Sequence, residues 1–139
     1  MKTIVVIFAF CICVNAMTIE ELKTKLYDEQ EACKAESGID EQKADNVNSE
    51  VDFDVEDEKV QLYSKCLIRK FNSVDENGNF NENIIRELTS LYLDENEVNQ
   101  LITECSSYFN TSDDDINLKF SKLMKCFEKY KTMKGILNF

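Results

Sequence analysis

The sequence predicts an all-α fold, a compact bundle of five to six helices, and three observations carry that reading. No proline and only three glycines occur in 139 residues, so long helices meet few breakers. Apolar side chains recur at helical spacing in one stretch after another, and no strand-period pattern of comparable strength appears. Outside the first sixteen residues stand four cysteines, Cys33, Cys66, Cys105 and Cys126, an even number that fits two disulfides.

Residues 1–16 read as a signal peptide and residues 17–139 as one helical domain. Lys2 supplies a positive start, Ile4 to Val14 is unbrokenly apolar, and Val14-Asn15-Ala16 offers side chains a signal peptidase accepts. The apolar run is too short to cross a bilayer, which takes about 20 helical residues. The expected product is therefore secreted, into a compartment that permits disulfides.

The first helix opens at Thr18, with Glu21 placed to complete a capping box. Ile19, Leu22, Leu26 and Cys33 fall near one stripe, and Gly38 is suited to a left-handed C-cap. Residues 40–58 are polar and read as a short helix and a loop. A helix from about Asp57 to Asn72 follows, carrying Val60, Tyr63, Leu67 and Phe71 on one face, with Leu62 and Cys66 beside it. Ser73 to Asn81 is a turn centred on Asp75-Glu76-Asn77-Gly78-Asn79. A shorter helix carries Ile84, Ile85, Leu88 and Leu91. Asp94 and Glu97 make a second capping box, opening a helix with Val98, Leu101, Ile102, Cys105 and Phe109 on one side. The last long helix starts in Ser112-Asp113-Asp114-Asp115, acids that favour the positive end of the helix dipole. Ile116, Phe120, Leu123, Met124, Phe127 and Tyr130 give its apolar face, and a tail from Lys131 ends in Ile136, Leu137 and Phe139.

Composition excludes several kinds of chemistry. The net charge of −11 argues against nucleic acid and anionic membrane surfaces, which call for a basic face. The absence of histidine removes Ser-His and Cys-His nucleophilic systems, and the acids are scattered over polar faces and loops, so no enzyme is expected. No two of the four cysteines have the close spacing of a zinc site, so no metal or cofactor is expected. The Asp75–Asn79 loop is not a calcium loop: counted from Asp75, glycine stands fourth rather than sixth, and Arg86 occupies the place of the bidentate glutamate. Asn110-Thr111-Ser112 is a glycosylation sequon where two helices join, and such tripeptides need not be occupied.

Four cysteines allow three pairings, among which spacing does not choose. The apolar stripes, taken alone, are what any helical core shows.

The chain as a whole resembles the insect odorant-binding proteins, most closely the C-minus group of bees. That family usually has six cysteines, three residues separating the second from the third and eight the fifth from the sixth. With Cys66 third and Cys126 sixth, the second and fifth positions fall on Leu62 and Asn117. Those two are partners in the family pattern, so one whole bridge is missing and no orphan thiol remains. Glu20-Glu21-Leu22-Lys23, Gly38-Ile39-Asp40, Lys59-Val60-Gln61-Leu62-Tyr63 and Lys129-Tyr130-Lys131-Thr132-Met133-Lys134 add to the resemblance. It implies the pairs Cys33–Cys66 and Cys105–Cys126. It also implies helices that enclose an apolar cavity, a carrier of small apolar molecules such as odorants or other semiochemicals, and a membrane receptor downstream. By analogy the wall includes Leu67, Phe71, Ile84, Leu88, Phe109, Phe120, Leu123, Met124, Phe127 and Tyr130, with Ile136, Leu137 and Phe139 closing it. Tyr63, Tyr130 or Ser121 would offer a hydroxyl to the ligand. The competing reading is a secreted interaction protein with a filled core, acting through its surface.

Overall fold

The computed structural model describes residues 17–49 and 52–134, so the expected signal peptide and the tail residues Ile136, Leu137 and Phe139 lie outside the described residues. The described residues form six helices: α1 Ile19–Ser37, α2 Glu41–Asn48, α3 Glu58–Lys70, α4 Glu82–Thr89, α5 Glu95–Thr111 and α6 Ile116–Lys134. No strand occurs among them. An isolated antiparallel bridge joins Val74 to Phe80 across the turn.

Local sequence sets most helix ends. Thr18 caps α1 by accepting the Glu21 N–H at 3.1 Å, but the Glu21 carboxylate takes the Thr18 hydroxyl as its partner, so the reciprocal half of that box does not form. Gly38, at φ 71°, ends α1 in the left-handed conformation and returns its N–H to Lys34. Asp40 caps α2 and Asp57 caps α3. The Asp94–Glu97 capping box at α5 is complete in both directions. Asp115 accepts the Asn117 N–H at 3.1 Å at the start of α6. The turn after α3 bends through Asn72 at φ 58°, and Asp75 then folds it by accepting the N–H groups of Asn77 and Asn79. Helix α6 continues to Lys134, where the sequence reading began a tail at Lys131.

Helix α3 is central. It packs against α6 and α1, α6 packs in turn on α5, α5 on α4, and α2 bridges α3 and α6. The core is one continuous cluster with Tyr63, Leu101, Phe109, Phe120 and Leu123 essentially sealed from solvent. The polar-looking stretch after Gly38 contributes to it more than its composition suggests: Ile39, Ala44, Val47 and Phe53 are all buried. Their few apolar side chains fall on the one side of α2 and its flanks that meets α3 and α6.

Two disulfides staple the bundle in the implied pairing. Cys33–Cys66 joins α1 to α3 with alpha carbons 5.6 Å apart, and Cys105–Cys126 joins α5 to α6 at 6.0 Å. The α3–α6 contact has no covalent link. It is held by packing and by the Ser121 hydroxyl, which donates to the Val55 carbonyl just ahead of α3 at 2.6 Å.

Candidate functional site

Helix geometry brings four apolar faces to one place. Leu22 and Leu26 stand one turn apart on α1, and Leu67 and Ile68 on α3 are followed by Phe71 and Ser73. Ile85, Leu88 and Thr89 on α4 lead to Tyr92 on the same face, and Met124, Phe127 and Glu128 come from α6. These residues do not fill the space between them. They line a cavity of about 110 Å³. A sealed apolar cavity of about 150 Å³ takes a benzene ring, so this one is somewhat smaller than the space a single ring occupies there. Anything larger requires side chains to shift. Leu26, Phe71, Leu88, Tyr92 and Phe127 are only partly buried and have the most room to do so. Phe127 also meets Phe80, with ring centroids 6.4 Å apart.

The wall is apolar with a few polar groups. The Thr89 hydroxyl donates within its own helix to the Ile85 carbonyl at 2.7 Å. Burial first, and then the nearby charge of Glu128, push the Tyr92 phenol above its ordinary range. Glu128 itself is 5% exposed, an unusual degree of burial for a carboxyl side chain in an apolar wall.

Of the residues that the family analogy assigned to a wall, Leu67, Phe71, Leu88, Met124 and Phe127 come together at this cavity. Phe109, Phe120 and Leu123 instead pack in the closed core, Phe109 and Phe120 against each other with centroids 6.0 Å apart. Ile84 is half-buried on α4, away from the lining that its neighbour Ile85 joins. The three hydroxyls suggested as ligand donors are engaged within the protein. Tyr63 donates to Asn48 at 2.9 Å, Ser121 to Val55, and Tyr130 to Glu104 at 2.6 Å.

Leu22, Leu26, Ile68, Ser73, Ile85, Thr89, Tyr92 and Glu128 also line the cavity and are not among the wall residues that the resemblance implies. Signals existed for several of them. Leu22 and Leu26 lie on a recognised stripe, and Glu128 falls four residues after Met124, hence on an apolar face. Outside the cavity, Cys33, Glu36 and Cys66 bring three potential metal-ligand atoms together, but both sulfurs are consumed by the disulfide and supply no thiolate. Asn110 is exposed on the last turn of α5, where a glycan would meet solvent.

The model of the PBP/GOBP family matches residues 15–130, which takes in α1 to α5, all but the last turn of α6, and both disulfides. No curated protein sequence matches the chain.

Proposed function

The chain belongs to the PBP/GOBP family, the odorant-binding family of insects, and from that premise we propose that it carries small apolar molecules through extracellular fluid in the cavity between α1, α3, α4 and α6. Members of that family are secreted, soluble binding proteins and not enzymes. Among the described residues no helix is long and apolar enough to cross a membrane, which agrees with this setting. The proposal includes removal of residues 1–16 as a signal peptide and hand-over of cargo to a membrane receptor. It also places the chain in the C-minus group, near its bee members, because two bridges are present and positions 62 and 117 hold Leu and Asn.

The observation that carries the reading is an unfilled apolar cavity in an otherwise close-packed bundle. Core packing normally removes such space, because each missing contact costs dispersion energy and unburied area. Apolar ligands recover that loss on entry, with a few polar groups setting their orientation.

The test is uptake of N-phenyl-1-naphthylamine by delipidated mature protein. Micromolar binding, displaced by terpenoid or phenylpropanoid odorants, is the expected result. Leu88→Trp, which puts an indole into the wall from a partly exposed position, should abolish uptake while leaving helicity unchanged. Absence of uptake by the wild type would favour the other reading, a secreted interaction protein acting through its surface.

A further inference from the structure

The largely apolar cavity wall carries one carboxyl group. Glu128 lines the cavity from α6 while remaining 5% exposed, and Tyr92 lines it from beyond α4, close enough for the Glu128 charge to act on its phenol. Two more buried polar groups stand one helical turn from lining residues. Gln30 follows Leu26 on α1, and Ser64 precedes Ile68 on α3. They are 4% and 0% exposed, and the Gln30 Nε2 and Ser64 Oγ atoms are buried with no hydrogen-bond partner. A bundle built only to close on itself would place apolar side chains at positions 30 and 64, since a buried polar group left without a partner is destabilising.

We propose that Glu128 is a specificity determinant of this cavity, selecting ligands with an apolar body and a hydrogen-bond-donating head, a hydroxyl or an ammonium, over apolar molecules that lack a donor. The inference rests on the cavity being the binding site and goes beyond it by naming the ligand chemistry. A carboxyl group has two oxygens that accept hydrogen bonds, so it can take a ligand donor in addition to any partner in the protein. Leu67, Ile85, Met124 and Phe127 line the same cavity, and a hydrogen bond formed in such apolar surroundings is electrostatically stronger than one in water. The cavity volume is about 110 Å³, so a single ring bearing a short head enters with a shift of the partly buried side chains of the wall. An acceptor or a methyl placed against Glu128 returns no hydrogen bond to the carboxyl, so a ligand without a donor gains less from this wall.

The experiment is a competition series on the mature, disulfide-bonded protein using benzyl alcohol, benzylamine, toluene and benzyl methyl ether against a bound fluorophore. Both donor ligands are expected to bind at least about tenfold more tightly than toluene and the ether, which corresponds to about 1.4 kcal/mol. Glu128→Leu should erase the preference while keeping or improving toluene binding. Glu128→Gln, nearly isosteric, should retain part of the preference for the alcohol and lose most of that for the amine; it serves if the leucine variant does not fold, as judged by its helical signal. Equal affinity of toluene and benzyl alcohol for the wild type overturns this inference while leaving the carrier reading intact. Failure of all four ligands and of the fluorophore to bind overturns both. A preference for donors that survives in both Glu128 variants shows that another group makes the selection and refutes the assignment.

Discussion

Replacing Cys33 and Cys66 together by alanine opens a loop of 33 residues in the unfolded chain. The chain-entropy relation puts the lost stability at about 3.7 kcal/mol, and at about 3.3 kcal/mol for the 21-residue separation of Cys105 and Cys126. A domain of this size has roughly 5–15 kcal/mol in total. Removing both bridges therefore costs about 7 kcal/mol and should leave little or no folded protein. Removing one should leave a folded but weakened bundle, with Tm lowered by roughly 10–18 °C at about 3–5 °C per kcal/mol. Urea unfolding followed by helical circular dichroism measures this directly. The denaturant slope should rise in the variant, because the released loop lets the denatured chain expose more surface. The cysteine-free protein is the companion measurement. If the single-bridge variant loses less than about 1 kcal/mol with an unchanged slope, or the cysteine-free chain folds cooperatively with near-native stability, the bridges are not major contributors and the packing of α3 on α6 and α1 is sufficient alone.

Further outcomes follow from particular contacts. Leu62→Cys with Asn117→Cys tests the missing bridge of the family pattern: the pair should oxidise spontaneously and raise Tm, by at most about 4 kcal/mol of added stability, whereas a double variant that stays reduced refutes the alignment. Tyr63→Phe removes the buried hydroxyl that donates to Asn48 and should cost about 1–2 kcal/mol in urea unfolding; a neutral result would mean that this bond is redundant. Carboxyls of Asp57, Glu104 and Asp114 are held below their ordinary range, chiefly by hydrogen bonds from Lys43, Lys129 and Lys122 respectively. Their folded-state values lie below the unfolded ones, so their contribution is present above the unfolded carboxyl range and lost as pH falls through the depressed folded values. The urea midpoint should accordingly show no loss from these groups between pH 7 and about 5 and a decline below about pH 4; a decline already complete at pH 5 contradicts the assignment.

The secondary structure was legible in the sequence because it depends on local rules. Capping residues, Gly38 and the Asp75 turn act within a few positions of themselves, and the helix edges fall within a few residues of where those signals stand. The disulfide pairing was not local. Four cysteines allow three pairings, and only the family resemblance, which the structure bears out, singled one out. The Thr18–Glu21 box shows the limit even at short range: the residues are right, but Glu21 settles on the Thr18 hydroxyl.

Which faces meet was decided by tertiary structure alone. Phe109, Phe120 and Leu123 have the same periodicity and chemistry as Met124 and Phe127, yet the first three are sealed in the core and the last two border a cavity. A helix face tells a side chain to leave water; it carries no information on whether the opposing helix will fill the space it enters. Ile84 and Ile85 make the point on adjacent residues, since a rotation of about 100° puts only the second at the wall. Glu128 is the clearest case. In sequence it is one acid among 27 Asp and Glu residues in a chain of net charge −11. Only tertiary packing turns that carboxyl away from solvent and sets it in the wall of the cavity.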